Sequence, residues 1–536
     1  SQPGNERNAR ELANLTTASF YDVSPTGDLV ANEALGTVEV LGKQPLVVRY
    51  TIAEGAAWSD GTPIDSSDLA LSFAAGTSLG GIYFQSVRGG TGISAADLQS
   101  SVTSGNSLTL KFRHPVADYL NALTLSVPAH VMAKLIDPKL STSDAKRYIV
   151  DLVNSGDSEK LASLAEAYRS VFKIDNLTSL SALKDIAVSS GPYVVEKVTA
   201  SEVTLLANPN FTLGVATKVE RVRLAYFTDS TAAVAAMVAG KVDISSAEDS
   251  GLVSLSEIKK LADASSINIS SQIEAGAISE QILLNFAAGS VFSNGTSESS
   301  AKAGLALRQA FLNIIPKQRI LIQTSSRYTT STSNSFVFDS SSDYYQTTTH
   351  DNGSSDYLIQ DLEKAVEILE DSNLRTPIDV RVIFDTDNPR AQSEWLLLQD
   401  RAAQAGFNLL NISSSDPSRV IARGEFDVFI GPRDLMSAPN ADVFQLSGNS
   451  ITSFKSEKVD ALLSQFAVSS GLKQKKILKD IDVQLFASAF GLPLYEVPAM
   501  LLHSERVSGF VSSPHCFSAT WGYYNWSVPA NQAGTK

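Results

Sequence analysis

The stretch Trp58-Ser59-Asp60-Gly61-Thr62-Pro63-Ile64-Asp65-Ser66-Ser67-Asp68-Leu69-Ala70-Leu71-Ser72-Phe73 carries the clearest structural pattern in the chain. Its Asp-Gly step predicts a tight turn between two extended pieces. After the turn, Asp65 or Ser66 can cap the first amides of a helix, and Asp68 then lies near the positive end of that helix. The stretch therefore predicts a turn that leads into a capped helix.

Outward from this stretch, the periodicity of apolar residues predicts a mixture of strands and helices. Alternating runs predict strands at 46–52, 108–113, 193–197, 203–207 and 221–227. Helical spacing appears at 66–74, 231–239, 303–314, 361–370, 394–405, 456–466 and 471–490. Strands and helices in irregular order favour α/β domains over a pure sandwich or helix bundle.

Composition limits the domain count and the class of partner. The chain has 536 residues, which is more than one hydrophobic core holds, so at least two domains are expected. Its net charge of −14 disfavours a nucleic-acid partner, because phosphate groups repel an acidic protein. The single cysteine, Cys516, allows no intrachain disulfide, and no apolar run approaches the length of a membrane helix.

One segment, Gln323–Tyr357, is dominated by Ser, Thr, Asn, Asp and Tyr. It lacks helical periodicity and is rich in polar residues, so it is predicted to be a long surface loop. The alternative is a loop that covers a ligand with Tyr344 and Tyr345.

Motifs for catalysis, cofactors and metals are weak. Gly76-Thr77-Ser78-Leu79-Gly80 matches a nucleophile elbow, but a helix rather than a strand is predicted before Ser78. A hydrolase that uses Ser78 is therefore the less favoured alternative, and a loop that ends the helix is preferred. No phosphate-binding loop is found, and none of the five histidines has metal-ligand spacing to another. We expect no enzyme activity, no cofactor and no metal site.

Several segments, in order along the chain, resemble the family 5 extracellular solute-binding proteins, which include oligopeptide- and dipeptide-binding proteins. The stretch quoted first resembles the signature of that family most closely. Further similar segments are Ser190-Gly191-Pro192-Tyr193, Leu206–Phe211, Ala232–Ile244, Leu283-Leu284-Asn285-Phe286, Leu307–Phe311, Gly424–Val428 and Leu492-Pro493-Leu494-Tyr495. The resemblance spans nearly the whole chain.

The resemblance implies a bilobed α/β fold of the periplasmic-binding-protein type (type II, large peptide-binding subclass) with an extra inserted subdomain. The base of the first lobe would combine residues 1–35, 180–274 and 500–536. The inserted subdomain would be 36–179, and the second lobe 275–499. The crossings near 272–278 and 495–502 would serve as hinges.

The same resemblance implies a function. The chain would be the monomeric, extracytoplasmic receptor of an ABC importer, capturing a small ligand between its lobes and delivering it to permease subunits in the membrane. An oligopeptide is the favoured cargo, and a sugar, a metal chelate or another small compound is the alternative. The polar start resembles a tether that follows a removed lipid-anchored cysteine, which places the receptor at the periplasmic or extracellular face of the membrane.

Two groups of candidate ligand-binding residues follow from the family pattern. Thr17, Ser19 and Phe20 lie in a segment, 14–20, that resembles the N-terminal strand and loop offering backbone groups to a ligand. Asn285 and Phe286 lie on a strand of the second lobe that faces the ligand in the family.

A third group lies in 429–444, where the chain departs from the peptide-binding members. Pro432 replaces a tryptophan, and the candidates here are Arg433, Asp434, Leu435, Ser437 and Asn440. Peptide-binding members carry an aspartate in this segment that pairs with the free amine of the ligand. Counting back from Phe444 places Ser437 at that position, whereas Asp434 fits if the loop is longer. Asp434 as a solvated loop residue is the other interpretation.

Overall fold

A computed structural model describes residues 11–24, 28–77, 79, 98–113, 116, 119–120, 122–172, 186–227, 230–248, 255–265, 268–324, 332–435, 451–466, 469, 471–511 and 518–528. The chain divides into two compact units, Ser1–Ala232 with His503–Lys536 (unit 1) and Ala233–Leu502 (unit 2). Unit 2 takes in residues 233–274, which the resemblance assigned to the first lobe. The finer subdivision into a base, an inserted subdomain and a second lobe stays a prediction.

Unit 1 combines small antiparallel sheets with helices. Its strands are β1 (Ala18–Ser19), β2 (Tyr21–Val23), β3 (Leu29–Ala31), β4 (Gly36–Lys43), β5 (Leu46–Ile52), β6 (Leu98–Ser104), β7 (Ser107–Phe112), β8 (Thr124–Leu125), β9 (Tyr193–Val198), β10 (Glu202–Ala207) and β11 (Arg221–Ala225). Its helices are α1 (Ser66–Thr77), α2 (Ala129–Ile136), α3 (Thr142–Ser155) and α4 (Ser158–Phe172). The largest sheet has the order β4-β5-β7-β6, and β9 to β11 form a meander.

Strand β5 shows why the alternating pattern predicted its position. Leu46, Val48, Tyr50 and Ile52 are buried, while Arg49 between them is exposed. Successive side chains of a strand point to opposite faces, so one face of β5 packs on the core and the other does not. The predicted strand, 46–52, has the same bounds as the observed one.

The first helix begins as its sequence predicts, and its carboxylates make more contacts than expected. Asp65 is the cap: its Oδ1 accepts a hydrogen bond from the amide of Ser67 at 2.9 Å. Asp68 is buried, and its Oδ2 accepts the amide of Asp65 at 3.0 Å while its Oδ1 accepts the amide of Ala129 at 2.8 Å. Since Ala129 opens α2, one carboxylate satisfies amides at the starts of two helices. Burial raises the pKa of Asp68 to about 6.

Segments from both ends of the chain meet in unit 1. Residues 11–16 are helical, and the carboxylate of Glu11 accepts hydrogen bonds from the amides of Ala519 and Thr520, both at 2.9 Å. Asn14 donates from Nδ2 to the Ser518 hydroxyl at 2.8 Å. These contacts join residues about five hundred positions apart in sequence, so the unit is closed by both terminal segments.

Unit 2 is an α/β unit around a six-stranded sheet of order β12-β17-β13-β16-β14-β15. The strands are β12 (Ile244–Glu248), β13 (Ile269–Leu284), β14 (Ile378–Ile383), β15 (Phe407–Asn411), β16 (Val428–Asp434) and β17 (Gly491–Ser504), the last of which ends in unit 1. The helices are α5 (Ser230–Val238), which starts in unit 1, then α6 (Leu255–Asp263), α7 (Glu298–Asn313), α8 (Lys317–Thr324), α9 (Tyr345–Thr349), α10 (Leu362–Asp371), α11 (Pro389–Ala402), α12 (Ser418–Arg423), α13 (Glu457–Phe466) and α14 (Leu472–Ala487). The predicted α/β organisation is confirmed.

The polar segment predicted to be a surface loop is instead largely buried over residues 332–339, and over 340–357 buried and exposed residues alternate. Residues 325–331 lie outside the described part. Phe336 and Phe338 are fully buried, and Phe336 packs against Phe486 with ring centroids 5.1 Å apart. The polar side chains satisfy the irregular backbone: Asp482 Oδ1 accepts the amide of Phe336 at 2.9 Å, and Ser335 Oγ accepts that of Phe338 at 3.0 Å. A segment rich in polar residues can be buried when its own side chains replace a sheet or helix as hydrogen-bond partners.

The alternative role of this segment, as a cover for a ligand, concerned two tyrosines. Tyr345 is buried, and its hydroxyl accepts the amide of Asn334 at 2.9 Å. Tyr344 is half-buried and stacks on Phe338 with centroids 5.7 Å apart. Both rings therefore pack inside unit 2.

We predict that Trp58→Ala destabilises unit 1 rather than acting on a ligand. Trp58 is fully buried in the core of unit 1, where it precedes the turn at Gly61. Truncating a buried aromatic side chain costs about 3–5 kcal/mol, through lost burial and the cavity left behind. Urea unfolding should show this loss. A variant that keeps its melting temperature and loses ligand affinity would contradict the assignment.

Candidate functional site

In unit 1, the N-terminal segment is held against the Ser-Gly-Pro-Tyr motif by close backbone contact. The amide of Gly191 donates to the carbonyl of Thr16 at 3.1 Å, and the Ser189 hydroxyl donates to the same carbonyl at 2.7 Å. The amide of Ala18 donates to the Ser190 hydroxyl at 2.9 Å. A Cβ on Gly191 would lie 2.4 Å from the carbonyl carbon of Thr16, so only glycine allows this approach.

The three candidates on this segment have different surroundings. Thr17 is half-buried, and its amide donates to the carbonyl of Ala13 at 2.9 Å. Phe20 is fully buried and packs edge-on against Tyr50, with centroids 5.8 Å apart, so its ring belongs to the core. Ser19 is buried in β1, and its hydroxyl has no hydrogen-bond partner within the described residues. Ser19 thus has a hydrogen-bonding group to offer, and the ligand contacts of all three stay a prediction.

In unit 2, the direction of the strands defines one edge of the sheet as the expected ligand side. β14 is parallel to both β15 and β16, so the carboxyl ends of these three strands meet at the same edge. Ligands of α/β sheets bind outside the carboxyl ends of the strands. We call this the carboxyl edge of unit 2. Asp434 is the last residue of β16, and α11 begins shortly after β14, so both lie at this edge.

The pairing of β13 with β16 separates the two groups of site residues predicted for unit 2. β13 runs antiparallel to β16, with Ile278 opposite Asp434 and Leu284 opposite Val428. Residues 278 and 284 are six positions apart, which is about 20 Å along a strand. Asn285 and Phe286 follow Leu284, so they lie at the end of β13 away from Asp434. The structure does not bring the two groups together.

Asn285 is engaged in a structural network. It is fully buried, and its Nδ2 donates to the carbonyls of Gly424 and Phe426 at 3.0 and 2.7 Å. Its Oδ1 accepts the amide of Ala287 at 3.0 Å. Both Nδ2 hydrogens bond the turn that precedes β16, so the presence of asparagine at this position is explained without a ligand contact.

Phe286 belongs to an aromatic group in the core of unit 2. Its ring centroid lies 5.0 Å from that of Phe454 and 6.2 Å from that of Phe490. The guanidinium of Arg308 lies 4.5 Å from the Phe286 ring centroid, a cation–π contact, and donates from Nε to the carbonyl of Ser488 at 3.1 Å. These contacts give Phe286 a packing role, and its predicted contact with a ligand remains untested.

The remaining candidates lie around the end of β16. Asp434 is exposed within its unit, Arg433 is half-buried, and Leu435 is fully buried. Ser437 and Asn440 lie outside the described residues, as does Ser78. The structure therefore places one candidate acidic side chain, that of Asp434, on the surface of the carboxyl edge.

A buried charged cluster at the carboxyl edge was missed by the sequence predictions. Glu280 on β13, Arg390 and Glu394 on α11, and Tyr495 on β17 are all buried. Arg390 Nη2 lies 3.1 Å from Glu280 Oε2, and the Tyr495 hydroxyl donates to Glu394 Oε1 at 2.6 Å. The i, i+4 spacing of Arg390 and Glu394 was the available signal. We call these four residues the buried cluster.

The buried cluster contains two carboxyl groups and one guanidinium. Burial raises the pKa of Glu280, although the guanidinium of Arg390 opposes this. Burial and the nearby charge of Glu280 raise the pKa of Glu394 well above its ordinary value. Burial and the charge of Glu394 raise the pKa of Tyr495, so its hydroxyl stays a donor. Two buried carboxylates beside one cation would leave a net charge that costs several kcal/mol, roughly.

Within the described residues, no group of three or more His, Cys, Asp or Glu side chains is placed to hold a metal ion. His130 is buried, and its Nε2 lies 2.8 Å from Asp60 Oδ2, which fixes the turn of the signature stretch to α2.

No helix of the described part is both long enough and apolar enough to cross a bilayer.

Comparison with known proteins gives one family match and several full-length similarities. Residues 41–451 match the family described as bacterial extracellular solute-binding proteins, family 5 middle. An uncharacterised lipoprotein of Mycobacterium leprae (strain TN) is 23% identical over 96% of this chain and 88% of its own length.

Two solved structures share the fold over most of both chains. The periplasmic EDTA-binding protein EppA superposes with a TM-score of 0.70 at 20% identity, covering 97% of this chain and 91% of EppA. The oligopeptide-binding protein AppA from Bacillus subtilis, in complex with a nonapeptide, gives a TM-score of 0.62 at 14% identity, covering 97% and 94%.

We predict that Gly191→Ala displaces the N-terminal segment of unit 1. Its Cβ would also lie 2.6 Å from the amide nitrogen of Thr17, so one backbone segment must shift, at a cost of about 1–3 kcal/mol. Gly76→Ala in α1 is the control, because its Cβ meets nothing nearer than the carbonyl oxygen of Ala122 at 3.5 Å. Urea unfolding should show a loss for the first variant and no loss for the second. Equal stability of the two variants would exclude the steric role of Gly191.

Proposed function

The chain belongs to the family 5 bacterial extracellular solute-binding proteins, the non-enzymatic receptors of ABC importers, and from this premise we propose that its cargo is an oligopeptide. The observation that carries the proposal is the position of Asp434. It is a carboxylate at the exposed end of β16, on the edge of the sheet where ligands of such sheets bind. A peptide with a free amino terminus needs such a partner for its ammonium group.

We propose two surfaces for contact with the cargo, one on each unit. On unit 1 it is the segment from Thr17 to Ser19, whose backbone and buried hydroxyl can bond the main chain of a peptide. On unit 2 it is the carboxyl edge around Asp434. Bonds to the main chain use atoms that every peptide has, as when a strand is added to a sheet edge. Such a receptor would select weakly among side chains.

A second candidate is a cargo without a free amine, such as a metal chelate. Pro432 stands where peptide-binding members carry a tryptophan, and the EDTA-binding protein EppA gives a higher TM-score than the nonapeptide-binding AppA. Mass spectrometry of small molecules released from the natively purified protein distinguishes the two. Peptides in the released material support the first candidate, and a chelating acid supports the second.

We propose that the receptor acts as a monomer at the outer face of the cytoplasmic membrane, where permease subunits accept its cargo. The support is the family membership and the lipoprotein description of the mycobacterial relative. A lipid on a cysteine upstream of Ser1 would tether it. Metabolic labelling of the full-length gene product with a clickable fatty acid tests the anchor, and a product that stays unlabelled contradicts it.

We predict that Asp434→Asn weakens binding of a peptide with a free amino terminus and spares its N-acetylated form. The substitution keeps the shape and removes the charge. Loss of one partner of a buried charge pair costs roughly 2–5 kcal/mol, or about 30- to several-thousand-fold in affinity. Calorimetry with both peptides on both proteins forms a double-mutant cycle.

Asp387→Asn is the matched control, since Asp387 is an exposed carboxylate on the loop after β14 at the same edge. It changes the net charge equally and should leave both affinities unchanged. If Asp434→Asn binds both peptides as the parent protein does, Asp434 is not the amine anchor. Ser437 would then hold the equivalent position, and a cargo without a free amine would be the better proposal.

A further inference from the structure

The buried cluster has an unfilled hydrogen-bonding requirement. Arg390 Nη2 donates to Glu280 Oε2, and the Tyr495 hydroxyl donates to Glu394 Oε1. The other carboxyl oxygens, Glu280 Oε1 and Glu394 Oε2, are buried without a hydrogen-bond partner among the described residues. A buried acceptor without a donor is rare in folded proteins, and two of them in one cluster require an explanation.

The charges of the cluster also indicate that it binds a proton. Glu280 and Glu394 are both fully buried and close enough that the charge of one raises the pKa of the other. Among the described residues, the ionisable groups of the cluster come from three elements: Glu280 on β13, Arg390 and Glu394 on α11, and Tyr495 on β17. With both carboxyls ionised the cluster carries a net charge of −1, whereas with one proton bound it is neutral.

We propose that Glu280 and Glu394 form a proton-binding site that holds one proton at neutral pH, with Glu394 as the protonated partner. The proton converts Glu394 Oε2 from an acceptor without a partner into a donor. Glu280 remains ionised because Arg390 is bonded to it, whereas Glu394 is bonded only to a neutral hydroxyl among the residues that the structure describes. The site is independent of the cargo and goes beyond the proposed function.

This proton links the packing of unit 2 to pH. The cluster connects β13 and β17 to α11, so ionising Glu394 places a net negative charge between these three elements. The folded pKa of Glu394 lies above that of the unfolded chain, about 4.5, so the folded state keeps a proton that the unfolded state releases. The contribution of Glu394 to stability is therefore fully present in acid and is lost as the pH rises toward the folded pKa. One such proton changes the unfolding constant about tenfold per pH unit.

The site is tested with Glu394→Gln, which resembles the protonated side chain and keeps an acceptor for Tyr495. Asp482 and Glu496 have pKa values raised by burial to about 6 and about 7, so the comparison is made above about pH 7.5, where these two groups have titrated. Lys317, whose pKa burial lowers to about 7, gives an opposite pH dependence in this range, and the parent and the variant share it. The ratio of the two unfolding constants, parent to Glu394→Gln, should therefore rise about tenfold per pH unit until Glu394 ionises. Glu367→Gln, at an exposed position of α10, should follow the parent.

Glu280→Gln provides a second test, because a purely structural role of Glu280 predicts no change in the protonation of Glu394. It leaves Glu394 as the one carboxyl beside Arg390, so Glu394 should ionise and the proton should be lost. Infrared spectra at about pH 8, where ordinary carboxyls are ionised and Glu496 is largely so, report the proton directly in the folded protein. The carbonyl stretch of a protonated carboxylic acid should be present in the parent and in Glu367→Gln, and absent in Glu280→Gln and Glu394→Gln.

Two results would contradict the proposed proton-binding site. One is a parent spectrum without the carboxylic acid band, which needs no variant to fold. The other is an unchanged pH dependence of stability in Glu394→Gln. Either would mean that both carboxyl groups are ionised and that other donors satisfy them.

Discussion

The carboxylate of Asp68 accepts backbone amides from the starts of two helices, and the arrangement of unit 1 follows from it. With α1 fixed, the hydroxyl of Ser72 bonds both the carbonyl and the amide of Thr124, at 2.8 and 2.9 Å. Thr124 lies in β8, which pairs with β1 and thereby positions Ser19. A buried carboxylate is costly unless its oxygens are hydrogen-bonded, so its two amide donors make the burial possible. The proposed ligand-binding segment thus depends on an acid that cannot reach a ligand.

The fold was predictable because the motifs that reveal the family are themselves structural. Gly191 allows two backbones to touch, and Asn285 closes the turn before β16. Asp427 accepts the amide of Val291 and pairs with Arg381 at 2.9 Å. The structural role of each of these residues is determined by local geometry. A sequence motif therefore predicts that role well. They also explain why Asn285 was a plausible but weak choice for a ligand contact: a motif marks a constraint without saying whether it serves folding or binding.

Burial was predicted poorly from the sequence wherever it depends on partners that are distant in the chain. Residues 333–339 belong to a polar segment and are largely buried, and Asp482, about 146 residues away from Phe336, accepts the Phe336 amide there. In the same way, Glu280 becomes a buried group only because Arg390 lies beside it in space. Periodicity and composition describe neighbours within a few turns, so they misjudge polar residues whose partners come from another element. The buried cluster at the carboxyl edge of unit 2 was therefore harder to predict than its sheet.

The joining of both terminal segments in unit 1 has a consequence for how the protein is made. Glu11 bonds the backbone of residues 519 and 520, and Ser518 bonds Asn14, so unit 1 lacks these contacts until nearly the whole chain has been synthesised. Unit 2 has no such dependence on the first segment, since its residues form one continuous stretch. Contacts between distant residues form slowly, because a long loop must close first. In a nascent chain with this connectivity, unit 1 stays incompletely folded even after all of unit 2 has been synthesised.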